Sequence, residues 1–349
     1  MIFRLHTKTK YTDVEDIKDV LDEMETHKDN ISMLDLSMNT YMPVVAEKLA
    51  EKIRKMKNLK HVRMESIVDS LTKEEMGESI THLVSAFPDN LEDLEISSCA
   101  LSCEYPDAIS EFLGRCPLRS LKLYDCGLGE EGLIRLTKDL EKLENKENLK
   151  SLNLGRNRLN CMHKEFTGLF NSYPNIEEFR IRSNTIEEEG LAYFLENAHC
   201  SNLRVLDISD NFVSGDCHSA LGKLFLRSRI QELHLYDGKM DDGGLKEFLE
   251  IVTSVPSEGL PGGLSDGRPD LILDISCLDA EQDCVPLLER LAELYNIKKL
   301  VLFENQFDDI SKLADMVRET GGVVLDTEDI TVDDNILSRD LMERIKNIL

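Results

Sequence analysis

The chain has 349 residues, of which 67 are acidic and 41 basic, giving a formal net charge of −26. A surface so acidic repels phosphate backbones and anionic lipid, which argues against nucleic acid or a membrane surface as partner and for a basic protein. Hydrophobic residues at 41% suffice for a substantial core, and no apolar run approaches the ~20 residues of a membrane helix.

The stretch from Met1 to Lys8 places charges where a signal peptide would be apolar, and nine cysteines scattered from Cys99 to Cys284 suit free thiols in a reducing compartment. A cytoplasmic protein is therefore expected. Thr12 with Glu15 makes a capping-box pattern ahead of Val14, Ile17, Val20 and Leu21, so residues 1–30 read as a helical N-terminal cap. From Ile31 onward one template recurs, with apolar residues at positions 1, 4 and 6, often Asn or Cys at 9, and usually an apolar residue at 11. It runs Ile31-Leu34-Leu36-Asn39, Leu59-Val62-Met64, Leu91-Leu94-Ile96-Cys99, Leu118-Leu121-Leu123-Cys126 and Leu149-Leu152-Leu154-Asn157. It continues as Ile176-Phe179-Ile181-Asn184, Leu203-Leu206-Ile208-Asn211, Ile230-Leu233-Leu235, Leu273-Ile275 and Ile297-Leu300-Leu302-Asn305. First positions from Ile31 to Ile230 are 28, 32, 27, 31, 27, 27 and 27 residues apart. This is the leucine-rich repeat in its long form.

Positions 4 and 6 alternate as in a short strand with one buried face, while the rest of each repeat carries helical spacing, as at Leu191, Phe194, Leu195 and Ala198. No such repeat buries its apolar face alone. The expected fold is an α/β leucine-rich repeat solenoid, with parallel strands on the concave face and helices on the convex face, forming one domain whose repeats occupy residues 31–320. Ser254 to Pro269 is too rich in Gly and Pro for either element and reads as an insertion at 254–269, because the repeat resumes in register at Leu273. Val323, Val324 and Leu325 suggest a last strand, and Leu337, Leu341, Ile345 and Leu349 a closing helix, within a C-terminal cap at 321–349.

Two template positions bear on function. The position 9 Asn is expected to turn inward and satisfy backbone groups left unpaired where the chain leaves the strand, with Cys99 and Cys126 in the same slot. Position 8 should line one edge, and it reads Asp125, Arg156, Ser183, Asp210 and Asp237, with Glu304 further along. That mostly acidic line suits a basic partner, although simple solvation of a polar position is the more ordinary account of it. Enzyme chemistry finds little support, since there is no P-loop, no HExxH and no paired CxxC. Cys99 and Cys103 are spaced CxxxC without a second half, so neither zinc nor any other cofactor is expected. His163 and His218 read as polar surface residues after their strands.

The segment Leu152-Asn153-Leu154-Gly155-Arg156-Asn157-Arg158-Leu159 resembles the GRNRL signature of Ran GTPase-activating proteins, themselves leucine-rich repeat solenoids. Leu121 to Gly129 is similar to that family's LxLxNxGxG segment, Leu206 to Phe212 to its DNxF repeat, and Leu34 to Thr40 to its GNT opening. The resemblance implies a protein that binds Ran in its GTP state and accelerates hydrolysis by orienting Ran's own glutamine, in support of nucleocytoplasmic transport. It further implies a Ran-facing edge of Arg156, Asn157, Arg158, Ser183, Asp210 and Asp237, with Asp125 where the family has its active-site asparagine. An amide donates and accepts hydrogen bonds, whereas an ionised carboxylate only accepts. Leu71, with Lys73 nearby, falls where the family has an arginine, and the family's acidic tail is replaced by an excess of 19 acidic over 8 basic residues in 270–349. The alternative is a non-catalytic leucine-rich repeat scaffold or inhibitor for some other basic partner.

Overall fold

The computed structural model describes residues 1–143, 145–255 and 268–319. The chain divides into two compact units, Met1–Asn160 with Gly168–Ile176, and Cys161–Thr167 with Glu177–Leu349. Both are stacks of the same strand–turn–helix repeat.

In the first unit the strands are β1 (Ile2–Arg4), β2 (Lys10–Tyr11), β3 (Met33–Asp35), β4 (Thr40–Tyr41), β5 (His61–Glu65), β6 (Asp93–Ser97), β7 (Ser120–Tyr124) and β8 (Ser151–Asn153). Between them lie α1 (Lys18–His27), α2 (Pro43–Ile53), α3 (Lys73–Val84), α4 (Asp107–Arg115) and α5 (Gly129–Leu140). A parallel sheet takes the order β1-β3-β5-β6-β7-β8, and β2 pairs separately with β4. The chain passes between units within α6 (Lys164–Phe170). The second unit continues the pattern with β9 (Glu178–Arg180), β10 (Val205–Asp207), β11 (Glu232–His234), β12 (Asp270–Asp274) and β13 (Asn296–Val301), all parallel and adjacent in that order. Its helices are α7 (Glu188–Asn197), α8 (Cys217–Arg227), α9 (Asp242–Thr253), α10 (Val285–Leu294) and α11 (Ser311–Glu319).

Local chemistry accounts for these elements. Pro43 opens α2, where a missing N–H costs nothing, Thr72 and Glu75 form a reciprocal capping box on α3, and Asp241 caps α9 through the Gly244 N–H. The strands contribute positions 4 and 6 to the interior: Leu34, Leu36, Leu121, Leu123, Leu152 and Leu154 are at most 1% exposed in the first unit, and Phe179, Ile181, Leu206, Ile208, Leu233 and Leu235 are fully buried in the second. Neighbouring helices close the other side, α2 on α3 and α4 on α5 in one unit, α7 on α8 and α8 on α9 in the other. Each such side chain contributes about 1.5–3 kcal/mol on leaving water, which is why the repeats hold only as a stack.

Three expectations are corrected. The array starts earlier than Ile31, because Phe3 and Leu5 are buried at positions 4 and 6 and β1 pairs in register with β3. Asp13, not Thr12, is the N-cap, with Asp16 completing the capping box of a short 3-10 turn, Val14–Ile17, that leads into α1. Thr12 instead donates its N–H and hydroxyl to the Asp16 carboxylate. His218 is not a surface residue: it lies 8% exposed in α8, with Nε2 3.1 Å from the Val213 carbonyl. The Val323–Leu325 strand, the closing helix from Leu337 and most of the Gly/Pro insertion lie outside the described residues.

Candidate functional site

Where each strand ends, the backbone needs partners, and the position 9 asparagines supply them. Asn157 Nδ2 donates to the carbonyls of Leu123 (2.6 Å), Leu154 (2.9 Å) and Gly155 (3.2 Å), while its Oδ1 accepts from the Cys126 N–H (3.0 Å). Asn211 and Asn305 repeat the arrangement, donating to Ile181 and Ile275 of the preceding repeat and to carbonyls of their own turn. The cysteines reproduce only the donor half: Cys99 Sγ lies 3.1 Å from the Ser97 carbonyl, and Cys126 Sγ 3.2 Å from that of Ile96. Burial pushes the Cys99 thiol up to about 12, which suits a structural rather than a reactive group. Asn157, expected on the partner-facing edge, is therefore turned inward and fully buried.

Position 8 has a conformational signature. Met38, Ser66, Ser98, Asp125, Arg156, Ser183, Asp210, Asp237, Cys277 and Glu304 all adopt φ between 51° and 62°. In this left-handed turn the position 8 N–H donates to the position 7 carbonyl of the next repeat, as in Ser98 to Tyr124 (2.8 Å), Asp125 to Gly155 (2.9 Å) and Asp210 to Tyr236 (2.9 Å). Asp and Asn tolerate that region better than most residues. The acids on this edge thus have a backbone reason to be there, and their charge is an additional property. In the first unit Arg156 Nε lies 3.7 Å from Asp125 Oδ2, with both side chains about half exposed. Arg158 is exposed beside them, as are Asp210 and Asp237 in the second unit, and Ser183 is partly exposed. Lys73, near the family's arginine position, is paired with Glu104.

The outward strand face holds what the sequence reading missed. Position 5 places Arg4, Asp35, Arg63, Glu95 and Lys122 directly opposite one another on successive strands of the first unit, and Arg180, Asp207, His234 and Asp274 in the second. The charges alternate. Ion pairs bind them across strands: Arg4 to Asp35 (3.3 Å), Arg63 to Glu95 (3.3 Å), Lys122 to Glu95 (2.8 Å), Arg180 to Asp207 (3.7 Å) and His234 Nδ1 to Asp274 (3.7 Å). Glu232 accepts a further pair of contacts, from Arg180 Nη2 and His234 Nε2, both at 2.9 Å. Burial works to lower the His234 pKa, but hydrogen bonds to Asp274 and Glu232 outweigh it and the pKa is raised. Asp274 and Glu232 are lowered in spite of burial, chiefly by bonding to His234. The signal for this row was present in the charges between each repeat's two strand leucines, visible only when repeats are stacked.

Among the described residues one cluster has metal-like spacing, Asp242, Asp283 and Cys284. Lys246 already neutralises Asp283, and the Cys284 thiol donates to Asp242 Oδ1 at 3.2 Å, so the group is satisfied from within.

Comparison with known proteins agrees with the repeat fold. The Leucine Rich Repeat family matches residues 202–224, which contain the Leu203-Leu206-Ile208-Asn211 repeat. No curated protein matches the chain. Among solved structures the chain is similar to the leucine-rich repeat-containing protein LegL7 from Legionella pneumophila, at 18% identity and a TM-score of 0.52, covering 92% of this chain and 97% of that one. It is also similar to an internalin from Listeria monocytogenes, at 14% identity and a TM-score of 0.46, covering 92% and 86%. The protein is a leucine-rich repeat protein of the α/β solenoid class. No helix among the described residues is long and apolar enough to cross a membrane.

Proposed function

We propose that the protein is a non-catalytic leucine-rich repeat scaffold that binds a basic protein partner along its strand faces and position 8 edges. The observation that carries this reading is the alternating position 5 row. Cross-strand ion pairs hold long charged side chains in fixed geometry on the outward face of each sheet, so a partner meets a preorganised pattern and less side-chain entropy is lost on binding. Charge complementarity of this kind sets register and association rate more than affinity. Capture of partners from cell extract tests it. A partner held by the wild type should be lost on charge reversal at Glu95→Lys or Glu232→Lys and retained by the helix-side variant Lys48→Glu. Equal capture by all four would overturn the reading.

A Ran GTPase activator is the second reading, favoured by one observation. The GRNRL segment lies in a turn that exposes Arg156 and Arg158 and sets Arg156 against Asp125. In such an activator Asp125 would stand where the family has its asparagine, able to accept a hydrogen bond but not to donate one, with Arg156 offsetting its charge toward the nucleotide phosphates. Hydrolysis of GTP on Ran separates the two readings.

A further inference from the structure

One member of the position 5 row differs in kind. Every other cation in the row is an arginine or a lysine, whereas the member between Asp207 and Asp274 is His234, an imidazole that can give up its charge where a guanidinium or ammonium does not. Its surroundings are acidic on all sides. On its own strand it faces Glu232, on β10 Asp207, and on β12 Asp274, while Arg180 on β9 is shared among Glu178, Asp207 and Glu232. Asp210 and Asp237 follow immediately on the edge. When His234 is neutral, carboxylates outnumber cations around it.

A second observation points to a missing polar group. Ser209, two residues beyond Asp207 on the same face, is fully buried, and its hydroxyl has no hydrogen-bond partner among the described residues. A buried hydroxyl left unsatisfied costs about 1–3 kcal/mol. It holds position 7 of its repeat, as Arg182 and Tyr236 do in the repeats on either side, and Arg182 Nη1 lies 3.5 Å from the Tyr236 hydroxyl. The Ser209 hydroxyl is thus an acceptor within the acidic face, one that an N–H donor would satisfy.

We propose that the strand face of the second unit, from β9 to β12, docks an arginine- or lysine-rich segment of a partner protein, and that the partner's cationic group replaces the His234 proton among Asp207, Glu232 and Asp274. Binding then releases a proton. By linkage the partner binds more tightly as His234 becomes neutral, and the bound partner lowers the affinity of His234 for its proton by the same factor.

The inference rests on the scaffold reading and has its own test. An oligo-arginine peptide is titrated into the full chain near pH 6 and near pH 8, in two buffers of different ionisation enthalpy, while the histidine ring protons are followed by NMR. Binding should be about fivefold tighter at the higher pH, with uptake of the released proton by the buffer. The midpoint of His234 should fall on peptide addition, and that of the helix-side His82 should not. His234→Gln should still bind, with the pH dependence gone, and Glu232→Gln with Asp274→Asn should weaken binding. Equal shifts at every histidine, or affinity unchanged by Glu232→Gln and Asp274→Asn, would show only attraction to net negative charge and overturn the proposal. That result together with loss of a captured partner in Glu95→Lys leaves the scaffold standing and removes this site. Capture insensitive to every strand-face variant removes the scaffold itself.

Discussion

Arg156 reaches back one repeat to place its Nε 3.7 Å from Asp125 Oδ2, and both residues occupy the same left-handed turn, at φ 55°. The pair is exposed and contributes little to stability. The backbone conformation beneath it matters more. Asp125→Asn keeps a residue suited to the turn and is expected to change unfolding free energy by less than about 0.5 kcal/mol. Asp125→Val puts a β-branched side chain there and should cost about 1–2 kcal/mol. Urea unfolding of the two variants distinguishes a conformational origin for the position 8 acids from a purely electrostatic one, under which Asn and Val would behave alike.

Asn157 serves five backbone groups from a fully buried site. Asn157→Ala should therefore destabilise by about 3 kcal/mol, since carbonyls of two repeats are left without donors. Asn157→Cys restores the donor half seen at Cys126 and should fall between Ala and wild type. A cysteine variant no better than alanine would show that the accepting oxygen, not the donating nitrogen, dominates.

His234 gives the second unit a pH dependence of defined sign. Its folded pKa is raised, so its contribution is complete below the unfolded value near 6.5 and is lost as pH rises through the folded value. Asp274 and Glu232 are lowered, so theirs is present above their unfolded values and lost as pH falls through the folded ones. Stability should peak in the mildly acidic range between these limits. Thermal unfolding of His234→Gln between about pH 6 and pH 8 should show a flatter alkaline side than wild type.

Gly244 in α9 leaves room for the His218 ring: a Cβ built there would lie 2.4 Å from its Cε1 and Nε2. The ring is buried and held near the Val213 carbonyl, so Gly244→Ala should cost about 1–3 kcal/mol by overpacking. Gly77 in α3 has nothing within 4 Å of the same position, and Gly77→Ala should stabilise by about 0.5–1 kcal/mol through helix propensity. Paired chemical-denaturation curves check the opposite signs.

Much of the fold was legible because its determinants are periodic. Positions 4, 6 and 9 repeat with one chemistry, and the buried leucines and inward asparagines fall where the spacing placed them. The first strand escaped because Phe3 and Leu5 alone carry its pattern, with Arg4 between them and no asparagine after. The capping residue slipped by one because Thr12 and Asp13 are both good caps, and geometry chose Asp13. The candidate site was less legible. The position 8 acids could be read along the sequence but not the left-handed turn that favours them, and the strand-face row is a relationship between repeats, so it emerges only once register is known. His218 misled because a polar side chain in a helical segment gives no sign of the glycine, 26 residues on, that makes room for it.

The most direct measurement is single-turnover hydrolysis of GTP on Ran, with and without a saturating amount of this protein. A binding scaffold leaves the rate unchanged. Acceleration that survives in the strand-face variant Glu232→Lys and is abolished by Arg156→Asp would contradict it and establish the GRNRL turn as an activating site.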